Sequence, residues 1–192
     1  MSALERAVDR AKAGNARVVF PEMKEPRIAE AVAQMQAEGL CVPVELAEAD
    51  DELVAALVDA RGMKEALARR MLSRPLYRAA AMVAAGQADA MLAGAVHSTK
   101  KVIEAASIAI GLADGVALPS SFFLMRFPDG RELVFSDCGL NVAPDAEELA
   151  AIARASETTG RALLGQARVA LLSFSTGSSG SGGSIEDAVN EG

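Results

Sequence analysis

The 192-residue chain is 51% hydrophobic but only 4% aromatic, with a single Tyr and no Trp, so its core has to be built mainly from aliphatic side chains. A formal net charge of -7 argues against a nucleic-acid-binding surface, which needs clustered Lys and Arg to neutralise phosphates. No long apolar run and no apolar leader occur, which favours a cytoplasmic protein, and two distant cysteines with one histidine argue against a disulfide framework or a zinc site.

The first 44 residues have the spacing of a βαβ unit. Apolar residues recur at helical spacing before Gly14 and again before Gly39, and a short apolar run follows each glycine. The predicted elements are a helix over residues 3–13, a strand over 17–20, a helix from 26 to about 38 and a strand over 41–44. Pro43 cannot donate to a sheet ladder, which predicts that the second strand lies at an edge or ends there.

A long helical zone follows over residues 50–86. Gly62 and Pro75 divide it, because Pro favours the start of a helix over its interior. The next elements are a strand over 89–94, which runs into a turn of small residues, and a helix over 99–110.

Two apolar runs flank Pro128-Asp129-Gly130 and predict an antiparallel hairpin. The predicted elements of this part are strands over 121–127 and 132–137, a helix from 144 interrupted near 159–160 and 165, a strand over 168–175, a Gly/Ser-rich loop over 176–183 and a helix starting at 184. Strands alternating with helices predict an α/β fold with a mainly parallel sheet. Because the final helix has barely begun at Gly192, we interpret the chain as incomplete at its C-terminus; a frayed tail is the alternative.

Three loops rich in small polar residues are candidates for binding an anion: residues 94–99, 119–121 and 175–180. Ligands of α/β sheets lie beyond the carboxyl ends of strands, where backbone N–H groups and helix N-termini bind anions. Each loop taken alone is more typical of a plain turn, and none has the spacing of a Walker or dinucleotide motif.

Three kinds of side chain near these loops could take part in catalysis or in ligand binding. His97 carries an imidazole, a group that suits acid–base catalysis, but we favour a role in capping the next helix or in packing at the strand end. Cys138 is interpreted as a packed or site-lining residue rather than a nucleophile. Lys100 and Lys101 suit an anionic ligand, although a solvated charge pair is the more common meaning.

Six segments occur in the order seen in one enzyme family. They are Val18-Val19-Phe20-Pro21-Glu22, Arg74-Pro75-Leu76-Tyr77, the run from Ala88 to Thr99, Ser120-Ser121-Phe122-Phe123-Leu124-Met125, Phe135-Ser136-Asp137-Cys138 and Leu171-Leu172-Ser173-Phe174-Ser175-Thr176. On these segments the sequence resembles the phosphate acetyl/butyryltransferase family, and the resemblance covers essentially the whole chain.

The resemblance implies an α/β, two-domain architecture like that of isocitrate and isopropylmalate dehydrogenases, C-terminally incomplete in this chain. Residues 1–147 would form the N-terminal portion of a discontinuous first domain, and residues 148–192 the start of the second. It also implies a cytoplasmic homodimer that acts on small molecules rather than on nucleic acid or membranes.

The family reaction transfers an acetyl group between coenzyme A (CoA) and inorganic phosphate. CoA, acetyl-CoA, phosphate and acetyl phosphate would be substrates, with no metal and no permanently bound cofactor. Phosphate butyryl transfer is one alternative, because pocket volume sets the acyl length. A non-catalytic module that binds CoA or acyl phosphate is another, and a dehydrogenase-like function is a third that only the fold analogy favours.

The resemblance also places the substrate site. The residues expected to line a phosphate and acyl cleft are Ser98, Thr99, Lys101, Ser120, Ser121, Ser175 and Thr176. The catalytic Ser-Arg pair and Asp of the family are expected beyond residue 192, so this chain alone is expected to have weak or no activity. Two family arginines linked to CoA are replaced, one by Glu104 and one near residues 58–61, where Arg61 or Lys101 could substitute.

Overall fold

The computed structural model describes residues 1–172. The helices of this part are α1 (Ala3–Gly14), α2 (Pro26–Ala37), α3 (Asp51–Arg61), α4 (Glu65–Leu72), α5 (Pro75–Ala84), α6 (Thr99–Ala109) and α7 (Ala146–Leu164). The strands are β1 (Arg17–Val19), β2 (Val42–Val44), β3 (Ala90–Met91), β4 (Phe122–Arg126) and β5 (Glu132–Ser136). The mixture of helices and strands confirms the predicted α/β class. Within residues 1–172, every helix is too short or too polar to cross a bilayer.

The chain divides into two compact units. One consists of Val8–Gly111, and the other combines Met1–Ala7 with the chain from Leu112 onward. The N-terminal residues join the second unit through long-range hydrogen bonds: the Ala3 N–H donates to Glu132 at 2.7 Å, and the Arg6 guanidinium donates to the Leu163 carbonyl at 2.6 Å.

The first unit contains a three-stranded parallel sheet in the order β2-β1-β3. Val18 of β1 lies opposite Pro43 on one side and Ala90 on the other. The position of β2 at the edge confirms the prediction from Pro43, because an edge strand leaves one side of the ladder free and tolerates a missing N–H.

Helices α3, α4, α5 and α6 supply most of the buried core of this unit. The fully buried side chains include Leu53, Leu57, Leu72, Leu76 and Tyr77. In α5, residues 79–82 are all buried, and three of them are alanines, whose small size allows neighbouring helices to approach closely. The core of this unit therefore consists mainly of aliphatic side chains between closely packed helices.

The predicted divisions of the helical zone are confirmed at the cap residues. The Asp50 side chain accepts a hydrogen bond from the Leu53 N–H at 2.9 Å and begins α3, and Gly62 ends it in the left-handed conformation at φ 60°. Pro75 occupies the first turn of α5. The first turn of a helix needs no backbone N–H donor, so proline is tolerated there. The residue after a helix often adopts the left-handed conformation, which favours glycine.

In the second unit, β4 and β5 form an antiparallel hairpin in which Phe123 lies opposite Phe135. Helix α7 follows it and begins with a capping box, in which Asp145 and Glu148 each accept a hydrogen bond from the other's backbone N–H. The predicted interruption near Gly160 is wrong. Gly160 is buried inside α7, where a β-carbon would lie 3.0 Å from that of Ala167, so the residue serves close packing and Gly165 ends the helix at φ 82°.

The predicted strand over 168–175 is wrong for its described part. Residues 168–172 form no strand, and the Leu172 side chain is 91% exposed. An apolar run becomes a strand only where neighbouring strands pair with its N–H and C=O groups, and residues 1–172 provide no such neighbour. The rest of this strand, the loop over 176–183 and the helix from 184 lie outside the described residues.

Candidate functional site

The sheet of the first unit brings two loops to one edge. Strands β1 and β3 are parallel neighbours, so the chain leaving β1 at Phe20-Pro21-Glu22 and the chain leaving β3 before α6 emerge on the same side. Ligand sites of parallel sheets occupy this edge. The loop over residues 94–97 connects the edge to the N-terminus of α6.

The Glu22 carboxylate is bound by this loop at five points. Its Oε2 accepts hydrogen bonds from the N–H of Gly94 at 3.0 Å and of Ala95 at 2.8 Å. Its Oε1 accepts from the N–H of Val96 at 3.2 Å and of His97 at 2.8 Å, and it lies 2.7 Å from Nδ1 of the His97 ring. The side chain is 2% exposed, so the loop encloses the carboxylate.

Electrostatics keep this buried carboxyl ionised. Burial alone raises the pKa of Glu22, but the hydrogen bonds from the backbone and ring of His97 and from the Ala95 and Gly94 N–H groups lower it to about 2. Successive N–H groups that converge on one anion form a nest, a common binding site for phosphates and carboxylates. Here the anion is part of the protein.

His97 contacts Glu22 instead of capping α6. Ser98 is the N-cap residue of that helix, and its side chain makes no cap hydrogen bond. The His97 side chain is 30% exposed. Because the Glu22 carboxylate can only accept, Nδ1 carries the proton of this hydrogen bond, and the carboxylate fixes the orientation of the imidazole. The predicted capping role of His97 is therefore wrong. The predicted packing at the strand end is present as the contact with Glu22.

The Glu22 contacts change the expectation for the loop over 94–99. Its N–H groups from Gly94 to His97 already have a carboxylate acceptor, so they do not bind an external phosphate. The polar groups that remain are the exposed side chains of Ser98, Thr99 and Lys101 at the start of α6. An anion site in this unit therefore has to use the helix N-terminus and these side chains.

A groove of 790 Å³ adjoins the Glu22–His97 pair. Apolar side chains from the ends of β1 and β2 form much of its lining, and three basic side chains, Lys24, Arg78 and His97, contribute to it as well. The volume of this groove and its lining of apolar and charged side chains are typical of a binding site for a small organic molecule.

In the second unit, the predicted site residues Ser120 and Ser121 join a polar cluster around Asp137. Oδ1 of Asp137 accepts from the Ser121 N–H at 2.8 Å and from the Ser121 hydroxyl. Oδ2 accepts from the N–H groups of Leu140 at 3.1 Å and Asn141 at 2.6 Å. Burial raises the pKa of Asp137, but these bonds outweigh it and hold the pKa far below its usual range.

The serine hydroxyls of this cluster already have protein partners. Ser121 also accepts a hydrogen bond from the Cys138 N–H at 3.0 Å, and the hydroxyls of Ser120 and Ser136 lie 3.0 Å apart. Cys138 directs its thiol to the Phe135 carbonyl at 3.0 Å. These contacts fix the two ends of the hairpin relative to each other.

The two positions at which family arginines were expected to be replaced make contacts within the protein. Arg61 donates to the carbonyls of Ser107 at 2.6 Å and Ile108 at 3.0 Å, near the C-terminus of α6, where a cation is favoured. Glu104 accepts a hydrogen bond from the Tyr77 hydroxyl at 2.8 Å. Arg61 is thus held within the protein.

The predicted site residues belong to different parts of the chain. Ser98, Thr99 and Lys101 lie in the first unit and Ser120 and Ser121 in the second, whereas Ser175 and Thr176 lie outside the described residues. The sequence reasoning gave no role to Glu22, Asp137 or Arg78. Residues 1–172 contain no cluster of three or more His, Cys, Asp or Glu side chains that could hold a metal ion.

Most of this chain matches a protein-family model. The model of the family described as phosphate acetyl/butaryl transferase matches residues 45–191, which include the β3–α6 loop, the hairpin and α7.

Individual relatives agree with this match. A phosphate acetyltransferase of Paracoccus denitrificans is 38% identical over 93% of this chain, and one of Nitrosomonas europaea is 35% identical over 94%. A solved phosphotransacetylase of Streptococcus pyogenes superimposes with a TM-score of 0.85 at 27% identity, covering 98% of this chain and 68% of that protein. The present chain spans 64% of the Paracoccus relative and 30% of the Nitrosomonas one.

Proposed function

Since this chain belongs to the phosphate acetyl/butaryl transferase family, we propose that the protein transfers an acetyl group between CoA and inorganic phosphate. The observation that carries the proposal is the 38% identity to a phosphate acetyltransferase over 93% of the chain. In the proposed reaction, acetyl-CoA and phosphate give CoA and acetyl phosphate.

The chemistry sets three requirements. In the reverse direction, the CoA thiol must lose its proton before it attacks the carbonyl of acetyl phosphate and displaces phosphate. In both directions the tetrahedral oxyanion needs hydrogen-bond donors, and the phosphoryl oxygens need cations or N–H groups. We assign the last requirement to loops of this chain. Ser98 and Thr99 are proposed to donate to phosphate oxygens at the N-terminus of α6, with Lys101 supplying positive charge nearby.

The remaining predicted residues complete the proposed substrate cleft. Ser120 and Ser121 stand on the polar cluster around Asp137, which would hold them in a fixed position beside the acyl phosphate. Ser175 and Thr176, which follow the apolar run over 168–174 in the sequence, are proposed to contribute as well. The base and the oxyanion donors are not assigned to residues of this chain.

The proposal extends to architecture and assembly. We propose a dehydrogenase-like arrangement of two α/β domains, with residues 1–147 in the first and 148–192 in the second, and a cytoplasmic homodimer. Superposition on the Streptococcus phosphotransacetylase supports the fold on which this arrangement is based.

The test uses the protein at its full encoded length. Acetyl phosphate and CoA are mixed with it, and acetyl-CoA and released phosphate are both quantified. Equal amounts of the two products, formed only when both substrates are present, are the expected result. Faster turnover of butyryl phosphate would assign the other acyl length, and CoA binding without any turnover would identify a binding module instead of an enzyme.

A further inference from the structure

Arg78 is a cation without an adequate anionic partner among the described residues. It is the fourth residue of α5 and lines the 790 Å³ groove next to the Glu22–His97 pair. Its guanidinium makes two contacts, both at 3.5 Å, to the Ala47 carbonyl and the Glu48 carboxylate. Its Nε atom is buried and has no hydrogen-bond partner within residues 1–172.

This arrangement leaves positive charge uncompensated. A guanidinium offers five N–H donors, and the Arg78 side chain is only 17% exposed, so water satisfies few of them. The first turn of α5 adds to the positive potential, because the N-terminus of a helix carries partial positive charge. An anion that accepts several hydrogen bonds would satisfy both the side chain and the helix end.

Glu48 does not fill this role. Its side chain is 97% exposed, and its oxygen lies at the outer limit of a hydrogen bond from Arg78. A carboxylate that water surrounds and that lies at this distance compensates little of the Arg78 charge, because water and salt screen it.

The other carboxylates of the groove are committed elsewhere or face solvent. Glu22 is enclosed by the loop over 94–97, and Glu25 pairs with Arg27 at 2.6 Å. Glu45 is exposed. Lys24 adds a second cation to the lining, so two cations of the groove are available to an anionic ligand beside Arg78.

We propose that Arg78 binds a phosphate group of CoA in this groove, an inference that rests on the proposed function. The groove is far larger than one phosphate ion, and apolar side chains such as Pro21, Val44 and Leu46 line it. A ligand with phosphates at one end and a long, uncharged arm matches both features. Arg61 is engaged in protein contacts and Glu104 is an acid, so neither residue offers a free cation to the CoA phosphates.

The experiment compares ligand binding by calorimetry for the native full-length protein and for Arg78→Gln, Arg78→Lys and Arg74→Gln. Arg74 is the matched control, because it precedes α5 and stacks on the Tyr77 ring at 4.5 Å instead of lining the groove. The probes are CoA, phosphate-free pantetheine and inorganic phosphate. Unfolding curves verify that each variant is folded.

The expected result is a loss of CoA affinity of about tenfold or more in Arg78→Gln, a smaller loss in Arg78→Lys and a change of less than about twofold in Arg74→Gln. Pantetheine and inorganic phosphate should bind the native protein and Arg78→Gln equally well. An unchanged CoA affinity in Arg78→Gln overturns the inference, as does an equal loss for pantetheine or a selective loss for inorganic phosphate.

Turnover measured on the same samples separates the two proposals. Acyl transfer with an unaltered KM for CoA in Arg78→Gln overturns the role of Arg78 and leaves the function intact. CoA binding that depends on Arg78, without acyl transfer by the native protein, overturns the function and leaves the binding site intact.

Discussion

Glu22 and His97, 75 residues apart in sequence, meet at the carboxyl edge of the sheet, where Oε1 of Glu22 lies 2.7 Å from Nδ1 of His97. The same carboxylate binds four consecutive N–H groups that end at His97. The position of the loop that leads into α6, and hence of Ser98 and Thr99, therefore depends on one buried side chain.

Replacing Glu22 should destabilise the protein strongly. Glu22→Gln puts an NH2 group where an oxygen accepts hydrogen bonds, so at least two of the five donors lose their acceptor. We expect a loss of about 2–4 kcal/mol in the free energy of unfolding, measured with urea. Glu25→Gln, which removes an exposed ion pair, should change it by less than about 0.5 kcal/mol. Equal effects of the two substitutions would show that the Glu22 contacts do not hold the loop.

Stability should fall in acid because of Glu22. Its pKa is lowered from 4.5 to about 2 in the folded protein, so between these pH values the unfolded state binds more protons. The stabilisation is complete above about pH 4.5 and is lost as the pH falls toward 2, which amounts to roughly 3 kcal/mol. Urea unfolding at several pH values should show a smaller decline for Glu22→Gln. A residual decline is expected, because the pKa of Asp137 is lowered in the same way. An equal decline of stability with falling pH in the native protein and in Glu22→Gln would contradict the assignment of this acid sensitivity to Glu22.

The Asp137 cluster should be needed for the stability of the hairpin. Asp137→Asn removes a charged acceptor from bonds with Ser121, Leu140 and Asn141, and we expect a loss of about 2–3 kcal/mol. Asp129→Asn is the control, since Asp129 lies in the exposed hairpin turn and Asn suits a turn equally well. If both variants unfold at the same urea concentration as the native protein, the cluster is not a stabilising element.

Arg61 and Gly111 should be energetically coupled. A β-carbon on Gly111, at φ 81°, would lie 2.5 Å from a guanidinium nitrogen of Arg61. Gly111→Ala should therefore cost about 1 kcal/mol for the backbone and more for displacing Arg61 from its two carbonyls. Gly39→Ala is the matched control, because its φ is 70° and no atom lies within 4 Å. In the Arg61→Ala background the two alanine substitutions should cost the same, and a difference that persists there would refute the coupling.

The hydroxyls at the start of α6 should affect the phosphate substrate. Under the proposed function, Ser98→Ala and Thr99→Val each raise the KM for acetyl phosphate by about tenfold and leave the KM for CoA unchanged, because a hydrogen bond to a charged oxygen is lost. Ser107→Ala, near the opposite end of the same helix, serves as the control. Unchanged kinetics in both test variants would remove Ser98 and Thr99 from the site.

Much of the fold could be predicted because glycines and prolines define the element ends. Gly62 ends α3, Pro75 begins α5, and Pro43 identifies the edge strand. Gly160 was misleading, because a glycine that permits close packing and one that ends a helix look alike in sequence. The run over 168–172 has no neighbouring strand within residues 1–172, which no local pattern reveals.

The site was harder to predict, because its central contacts join distant residues. Glu22 looks like an ordinary solvated acid after a proline. The available signal was topological: an acid just beyond one parallel strand faces the small-residue loop beyond the neighbouring strand. The loop was expected to bind a phosphate through its N–H groups, whereas these groups bind a carboxylate of the protein itself.

The most direct test of the proposed function is the phosphate dependence of CoA release from acetyl-CoA. The full-length protein is incubated with acetyl-CoA at increasing phosphate concentrations, and free thiol and acetyl phosphate are quantified together. The account predicts thiol release that requires phosphate, saturates with it and is matched by an equal amount of acetyl phosphate. Thiol release without phosphate, or no release at any phosphate concentration, would contradict it.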